Sequence, residues 1–411
     1  MIREKYTRRV KETSINIVQS RIESIREKDI TKTGFRVYKE GKIGVAGALG
    51  KYDESEMFSK AEKSLSLNIA YENDPSCNMN ESMELNSNIP KGKELINEIE
   101  CLLEELRKND DFIFSNKINV IEEEVILENN ENLNLKYKTR YMSCDIGVKE
   151  KSSKNIMDLF LPYEGRNFNR DEFIKYANNL LNAYRNKVEL PENNKLPVAF
   201  LNADMSMFIM FLRDLQGRKF ASGASIFSEL MNEKKFSSDF TLYQTSNPED
   251  DINSKFFDDE GVVNSNYRYH LIDNGVIKAP FTDKTVAKMY NLPLTGTGAG
   301  EYDGVPGLKG WPNLIAKSGA KTAKELLNGE MAVFVFIASG GDFTPDGGFG
   351  TPVQVAFLFD GEKFVGRLPE LQISSHVFNM FGEDFRGVSC DKVMSSMNMK
   401  YMIMDMDVKK L

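Results

Sequence analysis

Between Gly92 and Lys108, leucine and isoleucine return every three or four residues, at Leu95, Ile99, Leu102, Leu103 and Leu106. That spacing puts them on one face and predicts an amphipathic helix. "SEMFSKAEKSLSL" and "RDEFIKYANNLLNAYRNKV" read as further helices, and residues 4–28 are charged and helix-prone. Elsewhere the period falls to two. "FRVYKEGKIGVAGALG" reads as a hairpin turning at Gly41, and "INVIEEEVILENNENLNLKYKTRYMSCDIGV" as long antiparallel strands joined at "ENNEN". Residues 72–90 are polar and poor in apolar side chains, which predicts a loop. "ELPENNKLP" reads as a linker, so the expected division is 1–190 and 197–411.

After Pro197 the pattern changes. "VAFLN" is a short strand, and 204–216 reads as a helix with Asp204 as N-cap and Gly217 as C-cap. Beyond residue 238 the chain is mostly strand and glycine-rich turn, with helical pieces expected near 282–290 and 312–327. "YRYHLIDNGVIKAP" is strand, "DNG", strand: a hairpin whose alternation puts His270 on a face with Arg268 and Ile272. The methionine-dense tail "MNMKYMIMDMDV" predicts a terminal strand packed in the core, or else an adaptable binding face. The expected class is α+β: an N-terminal mixed α/β domain with an antiparallel sheet, and a C-terminal β-rich domain with glycine-rich hairpin loops.

Composition sharpens this. A chain of 411 residues, 41% apolar, can build about two domains with a sizeable core. A net charge of −8 and a pI near 5.3 argue against a general nucleic-acid or anionic-membrane binder. The longest apolar runs, such as "MAVFVFIA", are far short of the ~20 residues of a spanning helix. The charged start "MIREKYTRRVKET" does not read as a secretory signal. Cys77, Cys101, Cys144 and Cys390 show no CxxC spacing and read as reduced thiols of a cytoplasmic protein.

Candidate chemistry is sparse. In "FFDDEGVV", Asp258, Asp259 and Glu260 precede Gly261 and read as turn formers; three consecutive acids do not converge on one ion without a loop. Gly296, Gly298, Gly300 and Gly304 superficially suggest a phosphate loop, but "NLPL" is no convincing strand and Pro306 and Pro312 disfavour a following helix. Gly340, Gly341, Gly347, Gly348 and Gly350, in "SGGDFTPDGGFGTP", lie between two apolar strands. They read as a long hairpin loop or as the lining for an extended peptide that adds a strand to an edge. Cys390 reads as a packing residue; a metal site with His270 and His376, or a nucleophile with a histidine base, are the alternatives.

"FFDDEGV", "HLIDNGVIKAPFTDKTVAKMYNLPLTGTG", the glycine-rich segment and Cys390 together resemble the TldD/PmbA, or modulator-of-DNA-gyrase, family. The motif residues here are Asp258, Asp259, Glu260, Gly261, Asn274, Gly275, Gly296, Gly298 and Cys390. The resemblance implies a two-domain α+β fold in a dimeric proteolytic machine that trims unfolded peptides. One branch, TldD-like, holds zinc with an "HExxxH" helix and a downstream cysteine; the TldE/PmbA-like branch lacks those histidines and pairs with it. The helix at 204–216 has neither histidine nor glutamate, and the chain's two histidines, His270 and His376, lie well downstream. The resulting expectation is a cytoplasmic subunit without metal or cofactor. It would complete a peptide chamber for an HExxxH-bearing partner or for a second copy of itself. The other reading is a stand-alone homodimeric peptide binder with no peptidase activity.

Overall fold

The computed structural model describes residues 1–411. In chain order its elements begin with strands β1 (Ile2–Val18), β2 (Arg21–Lys39) and β3 (Lys42–Leu49), helix α1 (Glu54–Ser64), β4 (Met79–Glu84) and α2 (Gly92–Leu106). β5 (Phe112–Asn129), β6 (Leu133–Glu150), β7 (Leu159–Gly165) and α3 (Arg170–Arg185) follow. The second half contains β8 (Lys195–Leu201), α4 (Met205–Asp214), α5 (Gly217–Ala221), β9 (Leu242–Thr245), β10 (Arg268–Asp273), β11 (Val276–Ile277), α6 (Lys284–Tyr290) and β12 (Asn313–Ala316). It ends with α7 (Ala323–Leu327), β13 (Ala332–Ala338), β14 (Asp342–Phe343), β15 (Gly348–Phe359), β16 (Phe364–Arg367), β17 (Leu371–His376), α8 (Val377–Met380), β18 (Phe385–Lys392) and β19 (Lys400–Lys410).

The first seven strands form one sheet, β3-β2-β1-β5-β6-β4, with β7 also on β6. All its pairings are antiparallel except β4 on β6. α2 buries Leu95, Ile99, Leu102, Leu103 and Leu106, the face its period marks. A four-stranded sheet, β11-β10-β9-β12, lies in the second half. The remaining strands form an eight-stranded sheet in which β13, β8, β19, β17 and β15 close into a ring through the β13–β15 pairing. Along its strands successive side chains divide between two cores. Val198, Val333, Met402 and Met404 pack with α4, while Ala199, Phe334, Tyr401 and Ile403 pack with α2 and α3. The methionine-rich tail is therefore a terminal core strand.

Five local readings are corrected. Residues 4–28 are not helical but belong to β1 and β2, which pair along their whole length. Their turn has no glycine or asparagine to announce it: Gln19 and Ser20 take the positive φ angles, 49° and 63°. Charges on both faces of the mid-strand region removed the alternation as well. Within the expected loop at 72–90, Met79–Glu84 forms the edge strand β4, held by Leu133–Lys138. Near 312–327, β12 precedes α7, whose start is set by a capping box between Thr322 and Glu325. Gly217 does not cap α4 but opens α5, behind the Gln216 cap. A register shift between His270 and Ile272 separates their faces, leaving His270 exposed and Ile272 buried.

Candidate functional site

α4 is anchored by aromatic packing. Phe211 lies 5.1 Å from Phe381 and 5.6 Å from Phe227, ring centre to ring centre, and Met207, Phe208 and Met210 are buried beside it. The Asp204 carboxylate caps the helix, accepting from the Ser206 N–H (2.9 Å) and hydroxyl (2.6 Å). Met205, Ser206, Ile209 and Arg213 are left on the open face. That face borders two adjoining hollows. The first, about 330 Å³, is lined by Asp204, Ile209, Val335, Phe336, Gly340 and Gly341, among others. The second, about 860 Å³, has Met205, Arg213, Lys219, Trp311, Gly341 and Asp342 in its wall.

The far wall is a strand edge. β13 pairs with β15 on one side, but on the other it meets β8 only at Val333 and Phe334. From Val335 onward β13 is no longer paired on that side, and Val335, Phe336 and Ala338 line the first hollow, an edge to which an extended chain can add. Of the five glycines proposed as a lining, Gly340 and Gly341 border the groove. Gly347, Gly348 and Gly350 lie elsewhere: Gly347 sits against Val377 and His376, and Gly348 and Gly350 belong to β15, paired with β17.

Zinc does not fit this helix. A zinc centre needs histidine nitrogen, cysteine thiolate or carboxylate ligands, and the only two such groups in this segment, both carboxylates, are committed. Asp204 is the cap. Asp214, 1% exposed, accepts from the Arg213 Nε (2.9 Å) and the Lys219 Nζ (2.8 Å). His270 stands on β10 and Cys390 is exposed on β18. His376 caps α8, its Nδ1 accepting from the Phe378 N–H at 3.3 Å and its Nε2 donating to the Asp346 carbonyl at 3.0 Å. Nowhere do three His, Cys, Asp or Glu side chains gather as a metal-holding group.

The acidic motif does something the sequence did not show. Phe256 and Phe257 are buried in a small core with Tyr6, Leu127 and Leu135 of the first sheet. This draws Asp258, Asp259 and Glu260 into the junction between the two halves. Asp258 Oδ1 accepts from the Glu260 and Val262 N–H groups at 2.9 and 2.8 Å, the turn role expected. Its Oδ2 accepts from Gly298 N–H at 2.7 Å. Glu260 accepts from the Tyr71 hydroxyl (2.8 Å) and the Lys284 N–H (2.9 Å). Buried Arg36, on β2, donates to the Asp259 carbonyl at 2.6 Å and to Glu4 at 3.1 Å. Its Nε and Nη2 have no hydrogen-bond partner, and its guanidinium lies 5.5 Å from the Tyr6 ring centre.

Burial pushes the Asp258 carboxyl up to about 6, against the pull of the Val262 and Gly298 N–H groups and of Lys255. Burial, with Asp258 beside it, pushes Glu260 up to about 7. Asp259 goes the other way. Burial alone would raise it, but the Lys255 ammonium at 2.9 Å, with Arg36, holds it below the ordinary carboxylate range.

Other motif residues shape turns. Asn274 and Gly275, at φ 47° and 80°, make the β10–β11 turn, and Gly296 and Gly298 pack on the acidic loop. The acids' burial had one legible signal, the paired phenylalanines before them. The partners Arg36 and Tyr71 lie more than 180 residues away and carried none.

A strand-closed ring beside a short helix, docked on a long antiparallel sheet through an Asp-Asp-Glu-Gly turn, defines the protein class. The model of the PmbA/TldA metallopeptidase C-terminal domain matches residues 193–409, and the chain belongs to the TldD/PmbA family. Among solved structures, TldE from Thermococcus kodakarensis has a TM-score of 0.80 at 18% identity, covering 100% of this chain and 97% of that one. A protein described as a modulator of a DNA gyrase, from Thermotoga maritima, has a TM-score of 0.78 at 17% identity, covering 99% and 96%. A similarly described protein from Bacteroides thetaiotaomicron gives 0.76 at 14%, covering 100% and 95%. At these identities the likeness concerns the fold. None of the curated proteins matches the sequence.

Proposed function

We propose that this chain is the metal-free, TldE/PmbA-like subunit of a cytoplasmic peptidase complex. It seats unfolded peptide in the groove beside α4 and completes the chamber of an HExxxH-bearing partner. The observation that carries this reading is the face α4 turns to the groove. Ser206, Ile209 and Arg213 stand there with no free metal ligand, while the opposite wall keeps an open strand edge. Peptide binding is thus retained where the means to activate water is not. The division into parts at 1–190 and 197–411 belongs to the same proposal.

The test is hydrolysis of casein or an unfolded peptide by this chain alone, by an HExxxH-bearing relative alone, and by both mixed. The chain alone should be inactive, and the mixture should exceed the relative alone. No gain on mixing would leave the stand-alone homodimeric binder. Cleavage by this chain alone that is lost in Cys390→Ala would point to a cysteine hydrolase instead.

A further inference from the structure

The cationic side chains are confined to one end of the groove. Asp204 lines only the first hollow, Arg213 and Lys219 only the second, and Asp342 borders both. The carboxylate that Arg213 and Lys219 share is Asp214, at 1% exposure, whereas their own side chains are 33% and 32% exposed. Two cations thus face the groove with their common counter-charge withdrawn behind them. Arg213 is also held in place, its Nη atoms reaching the Phe343 and Thr344 carbonyls at 3.4 and 3.3 Å. Over the same hollow stands Trp311, 60% exposed, with Met205 and Ile209 beside it. The ten residues of α4 give the groove a length of about 15 Å, the span of roughly four or five extended residues.

We infer that the Arg213/Lys219 end is a carboxylate pocket that sets the direction of a bound extended peptide. This rests on the peptide-groove reading above. The carboxylate pairs with the Lys219 ammonium, since the Arg213 guanidinium already donates to Asp214 and to the Phe343 and Thr344 carbonyls, and the apolar side chain preceding it lies against Trp311. The amino end runs toward Asp204, where an ammonium group is favoured. The strand edge beyond Val335 supplies contacts that do not depend on sequence, so the charged end supplies the selection.

The experiment is calorimetric titration of the full-length protein with an unstructured alanine–leucine pentapeptide in three forms. These are a free C-terminus, a C-terminal amide, and an amide whose last residue is glutamate. The free acid should bind roughly tenfold tighter than the plain amide, as for one charge-assisted hydrogen-bonded pair. Lys219→Met should abolish that preference and Lys219→Arg should keep it. If the glutamate-ended amide binds like the free acid, the pocket takes any carboxylate; if it binds like the plain amide, the pocket is restricted to a chain end. Equal binding of acid and plain amide, or a preference surviving Lys219→Met, would overturn the carboxylate pocket and leave the groove. Failure of every form to bind would overturn both.

Discussion

At the scale of single residues, two carboxyls raised by burial sit at the junction. Glu260 faces Tyr71, Asp258, Asp283 and the Lys284 N–H. A carboxyl whose folded pKa lies above its unfolded one binds its proton more tightly in the folded state. Its contribution is therefore fully present below about pH 4 and is lost as pH rises toward 7. Asp258 follows the same sign toward about 6. Asp259, held low by Lys255, has the opposite one, contributing at neutral pH and losing it in acid. Glu260→Gln imitates the protonated form, since the amide oxygen accepts from Lys284 N–H while the Tyr71 hydroxyl turns to accept from the amide. The variant should be more stable than the parent by about 1–2 kcal/mol at pH 8 and nearly equal to it at pH 5. Urea unfolding at the two pH values measures this; if Glu260→Gln lowers stability at pH 8, the ionised form is the one the junction favours.

At the scale of elements, the junction is a close backbone approach. Gly34 on β2 lies under the 301–304 loop, and a Cβ there would be 1.7 Å from the Tyr302 carbonyl oxygen. Gly47, paired with Gly34 across β2 and β3, lies against the Asp303 and Tyr302 side chains of the same loop, whereas at Gly34 the neighbour is backbone. Backbone against backbone cannot relax as a flexible side chain does. Gly34→Ala is therefore expected to cost about 1–3 kcal/mol and to raise hydrogen exchange across residues 299–307. Gly310→Ala, whose Cβ would meet only Ala299 at an ordinary 3.6 Å, should be close to neutral. Comparable losses in the two variants would mean that the close approach is not what holds the loop.

At the scale of the whole molecule, the two halves share one apolar core. A single cluster of 38 buried residues runs from Leu95 and Ile99 of α2 and Phe173 of α3 to Phe334, Phe357, Phe359 and Tyr401 of the ring. Neither half covers that surface alone. Calorimetry should thus give one cooperative transition, and a fragment of residues 193–411 should aggregate or bind a hydrophobic dye. Two resolved transitions, or a monodisperse folded fragment, would show that the halves are stable separately.

Local patterning determined much of this protein. The apolar face of α2, the helix at α3, the β5–β6 hairpin, the "DNG" turn, the Asp204 cap and the absence of histidine from α4 all follow from residues close in the chain, because caps, turns and amphipathic faces are short-range effects. Tertiary pairing decided the rest. β1 and β2 are strands because β5 pairs with β1, although the charged, glycine-free stretch of residues 4–28 has helical character. Asp258, Asp259 and Glu260 pass for ordinary turn acids until Arg36 and Tyr71 are brought against them. The groove lies where the pairing of β13 with β8 ends at Phe334, beside α4. A strand edge left without a partner is a relation between distant segments, and no local pattern encodes it.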